Sequence, residues 1–379
     1  MFNLTELLQN NNDNSKSLKM KDVVSSLSNT KYKIVCYDKA QLLIDMIPTL
    51  GLMRSVILQD EEIVCFSPPK SIHADTFIQL YPDLKSNIIC EEFVEGTMMN
   101  LFWNYTNKVW ECGTKQNIGD NKFYNMFMEA LHDCSLDFES LNKKYCYSFV
   151  LQHPANRIVI PIINSSIYLV AVYEIENNKL TNNKTIKIIK DYVVPKGVKR
   201  PQIYADFTCY NDLIDKYASM NTPYDIMGVI IHNTENGQRC KIRNPNYETV
   251  HHLRGIQPKL LYQYLAIRKQ DRLNEYLLHF PQHKKMFLEF RDQLYLFTQT
   301  LYQNYIACYI KKEKQLKDYP PQFKTHMYHL HKKYINELLD IKSYINMNVV
   351  IQYMNDMEPS QIMFCAFRKS KQNQIKVVC

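Results

Sequence analysis

Glycine is scarce in this chain: 8 occur in 379 residues, where ordinary usage near 7% would supply about 26. With so few, each is expected to answer a backbone need. Gly96, Gly113, Gly119, Gly228, Gly237 and Gly255 cluster in the middle of the sequence. Long apolar runs are also missing. None approaches the roughly 18 residues that a helix needs to cross a bilayer, so no membrane-spanning helix and no membrane partner are expected. The N-terminal stretch MFNLTELLQNNNDNSKS has neither the basic start nor the apolar core of a signal peptide. No CxxC pair occurs among the 11 scattered cysteines, which excludes a zinc-knuckle framework and reads as reduced core thiols. The expectation is an intracellular protein in a reducing compartment.

What is present fits a globular protein. Hydrophobic residues make up 46% and charged residues 22% of the sequence. The length suggests two domains. A net charge of +8 is compatible with a polyanionic partner without requiring one. Heavy use of Asn, Lys, Ile and Tyr points to an AT-rich genome.

Residues 1–29 read as an N-terminal arm, with a loose asparagine-rich stretch from Gln9 to Asn14. From Tyr32 the pattern becomes strand-like: KIVCYD, then RSVIL and EIVCF around an acidic turn, closed by Pro68 and Pro69. A hairpin is expected over Thr97–Tyr105 and Val109–Cys112. Further strands are expected over Tyr145–Leu151, Arg157–Ile163 and Ser166–Ile175. Asn236-Gly237 sits between Gly228–His232 and Arg239–Arg243, the strongest short-range hairpin signal in the chain. Helices are expected at Phe123–Leu131 and Tyr210–Tyr217. Residues 30–255 therefore read as a sheet-rich α+β domain. Beyond Gly255, Phe287, Phe290, Leu294, Phe297, Leu301, Tyr305 and Tyr309 recur at helical spacing. With helical runs at Gln257–Leu278, Gln322–Leu339 and Asn346–Met354, residues 256–365 read as an all-α domain, followed by a polar tail at 366–379. The spacing of the aromatic stripe marks it as core rather than a base-stacking platform. His326 and His329 can share a helix face but His331 cannot, so no metal site is expected there.

Two segments could carry chemistry. A period of two along Arg239–Arg243 puts Arg239, Lys241 and Arg243 on one strand face, suited either to gripping phosphate or to protecting an edge strand. In NIICEEFVEGTMMNLFW, Glu91, Glu92 and Glu95 bracket a tight turn at Gly96. Such a turn occurs beside nucleotides and in plain hairpins alike.

Read in order, several short motifs resemble those of phage-type RNA ligases, members of the covalent nucleotidyltransferase superfamily. Phe93-Val94-Glu95-Gly96-Thr97 stands where the family has K-x-D-G-[ST]. Tyr147-Ser148-Phe149-Val150 stands at its glutamate strand, Met227-Gly228-Val229-Ile230 at its E-G strand, and Lys241-Ile242-Arg243 at its final K-x-K strand. Arg54 and the Phe66–Lys70 segment resemble elements that precede the first motif. The match covers about 200 residues, and an all-helical domain follows in that branch too. The resemblance implies an α+β fold of ATP-grasp-like antiparallel sheets ahead of an all-α C-terminal domain. The composition is similar to that of large DNA viruses, so the cytoplasm of a host cell or a virion is the implied location.

The departures concern catalysis. The family's lysine attacks a nucleotide α-phosphate, and Phe93 offers no lone pair. Ser148 and Met227 replace the two glutamates that help to hold the metal. The motifs that remain imply phosphate or nucleotide binding by Arg54, Glu95, Gly96, Lys115, Arg239, Lys241 and Arg243, with no metal. The leading expectation is a catalytically degenerate protein that binds RNA or nucleotide phosphates and needs no cofactor. One alternative is an active RNA ligase or capping-type enzyme that uses ATP and Mg through a displaced lysine: Lys70, Lys85 or Lys115. Another is a structural or assembly protein, with a protein partner, that inherited the fold.

Overall fold

A computed structural model of the chain describes residues 2–9, 17–85, 87–178, 183–257 and 259–367. Positions 10–14 of the expected loose arm, and the expected polar tail from 368 onward, lie outside the described residues. Two units, Met1–Thr249 and Val250–Cys379, divide the chain. The architecture is α+β: antiparallel sheets build the first unit and helices the second.

In the first unit, β1 (Phe2–Asn3) and α1 (Thr5–Gln9) precede a meander of β2 (Leu18–Val24), β3 (Lys31–Tyr37), β4 (Val56–Gln59) and β5 (Glu62–Phe66). Helix α2 (Ala74–Leu80) leads to β6 (Ile88–Glu92) and the hairpin of β7 (Thr97–Asn104) with β8 (Val109–Gly113). After α3 (Lys122–Asp133) come β9 (Tyr145–Gln152), β10 (Ser166–Asn178) and β11 (Asn183–Ile188). Last are β12 (Ile203–Tyr204), α4 (Tyr210–Tyr217), the hairpin of β13 (Gly228–Asn233) with β14 (Arg239–Arg243), and α5 (Pro245–Arg254). Besides the meander, the strands form a six-stranded sheet, β1-β11-β10-β9-β7-β8, and a four-stranded one, β12-β6-β13-β14.

Strand alternation accounts for the layers. On the six-stranded sheet, Met99, Leu101, Tyr147 and Phe149 face α3 and bury Phe127 and Leu131. Phe102, Cys146 and Tyr173 point the other way, onto the meander's Tyr32, Ile57 and Phe66. On the four-stranded sheet, Cys90, Val229, Ile231 and Cys240 pack under Phe77 of α2 and Leu213 of α4. The opposite face, carrying Glu91, Ile230 and Lys241, is left for the site. All cysteines among the described residues are free thiols.

Two differences from the sequence expectation concern the N-terminal arm and a missing strand. Residues 2–9 and 17–29 are not merely an arm: Leu4 is fully buried, and β2 pairs along its whole length with β3. The strand expected over Arg157–Ile163 is absent. A 3-10 turn at Pro154–Asn156 leads into irregular chain, because the Val159 and Ile160 N–H groups donate to the Glu95 carboxylate rather than to a neighbouring strand. Lys115 is not on a strand, since β8 ends at Gly113 and Thr114–Asn117 turns back.

The second unit contains α6 (Leu260–Lys269), α7 (Leu273–His279), α8 (Lys284–Tyr305), α9 (Pro321–Lys333), α10 (Met347–Asp356) and α11 (Pro359–Ala366). The helix expected over Gln257–Leu278 is broken between α6 and α7, where Asp271 adopts a φ of 56°. The aromatic stripe of α8 is core, with Phe287, Leu294, Phe297, Leu301 and Tyr305 buried. His326 and His329 share a face and both approach the Tyr353 hydroxyl, at 2.8 and 3.3 Å. His331 points away and stacks on Tyr309 at 3.9 Å. Among the described residues, no helix is long and apolar enough to cross a membrane.

Candidate functional site

Three rungs across the four-stranded sheet organise the site. Glu91, Ile230 and Lys241 lie abreast on β6, β13 and β14; Ile89, His232 and Arg239 form the neighbouring rung. On the other side Gly228 pairs with Arg243, and Phe93, just past β6, donates its N–H to the Gly228 carbonyl at 3.1 Å. The central position of that rung, Gly228, carries no side chain, so Phe93 and the β14 cations meet directly. The Lys241 Nζ sits over the Phe93 ring, 4.3 Å from its centroid, and the Arg243 guanidinium lies at 5.7 Å. The Arg243 contact is of cation–π type, and the Lys241 contact becomes one when its amine is protonated. Gly228 itself is obligatory. Its φ is 129°, and a Cβ there would stand 2.1 Å from the Ile242 carbonyl oxygen.

Cations from other segments join this row. Arg54, just ahead of β4, and Lys70, just past the proline pair, both depress the ionisation of Lys241 along with Arg239 and Arg243. Burial is the largest cause, and together these push the Lys241 amine down to about 6. Arg239 is pushed down to about 10, chiefly by burial and then by Arg54, so it stays charged at neutral pH. Lys70 is lowered by burial and by the same arginines.

The partners of these cations differ. Arg239 donates to the Pro68 and Pro69 carbonyls at 2.7–3.2 Å, and Arg54 reaches Pro68 O at 3.4 Å. Prolines lack an N–H but still accept, and these two tie the meander to β14. Arg243 is paired with Glu248 of α5 at 2.7 Å, and Lys70 Nζ reaches the Ser71 carbonyl at 3.4 Å. Lys241 makes no hydrogen bond or ion pair with any described residue.

Arg54, Lys70, Arg239, Lys241 and Arg243 thus converge. Lys115 is peripheral: its amine sits over the Tyr37 ring at 5.0 Å and is lowered by burial, with Lys39 and Arg54 among the charges it feels. Lys85 is exposed and lies across a turn from Ile88, at the end of β6 away from Phe93.

Glu95 is used differently from the role implied for it. It is 1% exposed, and its carboxylate accepts N–H groups from Val159 and Ile160 at 3.0–3.2 Å. It also accepts the Tyr247 phenol, whose own ionisation is raised by burial and then by this carboxylate. Glu95 is a clamp on buried backbone. Gly96 makes that turn possible, since a Cβ there would lie 2.4 Å from the Leu151 carbonyl oxygen.

The metal implied by an active ligase can be tested against the residues present. Ser148 is fully buried and its hydroxyl donates to Asn100 Oδ1 at 2.9 Å. Met227 offers only a thioether. Among the described residues, no three His, Cys, Asp or Glu side chains converge in a way that could hold a metal ion. This donor set does not fit magnesium, which needs hard oxygen ligands.

A chamber of about 230 Å³ lies beside the cation row, between the four-stranded sheet and β10–β11. Ile89, Ile230, Leu169 and Val172 supply apolar walls; Glu91, His232 and Arg239 supply polar groups. Arg239 belongs to both chamber and row. Burial pushes the Glu91 carboxyl up to about 7 and the His232 imidazole down to about 4. Their facing atoms are 3.7 Å apart, and His232 Nε2 is buried without a hydrogen bond. His232 was not singled out from sequence, although its two-residue spacing from Ile230 puts it on the site face. Nothing in the sequence signals that the chamber exists.

No known family's sequence pattern matches this chain, and no curated protein matches it. Solved structures do. A protein of Aquifex aeolicus described as a candidate ATP-dependent DNA ligase is 12% identical, with 88% of this chain and 80% of that one covered and a TM-score of 0.43. An RNA ligase of Naegleria gruberi is 10% identical over 63% of this chain and 81% of that one, with a TM-score of 0.37. The same enzyme's complex with ATP and Mn, in a mutant form, gives 10%, 63%, 82% and 0.36. At these values no activity is transferred from those proteins.

Proposed function

We propose that the first unit binds nucleotides or RNA through their phosphates, using Arg54, Lys70, Arg239, Lys241 and Arg243, and that the covalent step of RNA ligases is lost at position 93. The observation that carries this reading is the convergence of five basic side chains, with Lys241 pushed down to about 6 by burial first and then by the other four. Like charges held together in a half-buried site raise the energy of the empty protein, and an anion relieves that repulsion. Phosphate suits the row because several charge-assisted hydrogen bonds can form to one group. With Ser148 and Met227 in place of carboxylates, cationic side chains rather than a metal would meet its charge. The neighbouring chamber has apolar walls and a few polar atoms, as a heterocyclic base requires, so a nucleotide fits with its phosphates on the row.

Binding of ATP, GTP, AMP and a 5′-phosphorylated RNA oligonucleotide, titrated over a range of salt, tests the proposal. Wild-type protein should bind with an affinity that falls steeply as salt rises. At pH 5, where the Lys241 amine is protonated, a Lys241→Gln, Arg243→Gln double variant should bind RNA more weakly, with a log–log salt slope shallower by about 1.4, at about 0.7 per lost contact to a single strand. Wild-type protein that binds none of these ligands at low salt refutes the proposal.

A further inference from the structure

We propose that the Lys241 Nζ is itself a nucleophile, attacking the α-phosphorus of a nucleoside triphosphate held on the cation row. The inference rests on the nucleotide-binding reading above and moves the covalent step from position 93 to a different strand. None of Lys70, Lys85 and Lys115, the displaced lysines expected from sequence, combines the features found at Lys241.

Four observations converge on this amine. It is half-buried at the centre of the row, abreast of Glu91 and Ile230. Within the row, Arg54, Arg239, Arg243 and Lys70 each have an acceptor, whereas Lys241 has no hydrogen bond or ion pair with a described residue. Its terminal nitrogen is set against the face of Phe93, 4.3 Å from the centroid, so an aromatic wall fixes its position without offering it a proton acceptor. Burial and four neighbouring cations favour its neutral form, the one with a lone pair. A lysine desolvated beside other cations is a recognised way to make an amine nucleophilic at neutral pH.

The step balances without an oxidant or reductant. The neutral amine donates its lone pair to the α-phosphorus and a P–N bond forms. The bond from that phosphorus to the oxygen bridging the β-phosphate breaks, and pyrophosphate leaves with the electron pair. The nitrogen loses one proton to solvent or to the leaving group, which gives a phosphoramidate at Lys241. Arg54, Lys70 and Arg239, among the cations whose charge Lys241 feels, would meet the charge that builds on the leaving group.

The full chain is incubated with α-labelled ATP or GTP in EDTA, magnesium or manganese. Acid-labile, alkali-stable label is then located by peptide mass spectrometry, with nucleotide binding by wild-type protein measured in parallel. The expected result is label on Lys241 in at least one condition, reduced to background in Lys241→Arg. Its second-order rate of formation should rise with pH through about 6 and level off above, following the amine of the free protein. Wild-type protein that binds nucleotide but takes up no label overturns the inference and leaves the binding reading standing. Label confined to Lys70, Lys85 or Lys115 also overturns it. Absence of both label and binding overturns the two together.

Discussion

Replacing Glu95 by Gln separates the clamp seen here from the ligand-binding role that its motif implies. The carboxylate accepts two N–H groups, from Val159 and Ile160, and the Tyr247 phenol. A glutamine amide keeps one acceptor oxygen and turns an NH2 toward donors, so at least one of these three groups loses its partner. An unsatisfied buried donor costs about 1–3 kcal/mol, and exchanging a charged acceptor for a neutral one adds to that, so the loss should be about 2–4 kcal/mol. For a unit of this size that corresponds to a fall in melting temperature of roughly 4–16 °C. The protein's two tryptophans, Trp103 and Trp110, lie on β7 and β8, so their fluorescence during urea unfolding reports on the first unit alone. The midpoint should fall with an unchanged slope. An unaltered midpoint together with weakened nucleotide binding would show that Glu95 serves the ligand, and would refute the clamp.

Two further outcomes follow from the same geometry. Glu91 titrates near 7 in the folded chain against an ordinary 4.5, so the folded form holds a proton that the unfolded form has lost across that window. The stability from Glu91 is therefore full below about 4.5, declines as pH rises, and is gone above 7. Glu91→Gln should match wild type at pH 4 and exceed it by roughly 3 kcal/mol at pH 8; equal urea midpoints at both pH values would contradict the buried carboxyl. Gly228→Ala combines a φ of 129° with a backbone oxygen 2.1 Å from the new Cβ and should cost at least about 2 kcal/mol. A wild-type midpoint for that variant, read by the same fluorescence, would show that the β13–β14 edge can relax.

Local pattern alone determined much of this protein. The alternation in β7, the Asn236-Gly237 turn between β13 and β14, and the three-and-four spacing along α8 each depend on which face of an element is buried, and that is written in neighbouring residues. The same alternation put Arg239, Lys241 and Arg243 on one face, and the structure keeps them there. The residues at 93, 148 and 227 were equally legible, because the chemistry of a phenyl ring, a hydroxyl or a thioether does not depend on the fold. Tertiary structure decided what those side chains meet. Glu95 looked available until the chain 64 residues later supplied two N–H groups that needed an acceptor. Arg239 belongs to the row but is held by prolines about 170 residues away, and Lys85 lies near Phe93 in sequence yet at the far end of a strand. The lowered ionisation of Lys241 is the clearest case. It arises from burial and from charges on three separate segments, and Coulomb energies depend on distances through space that no local pattern encodes.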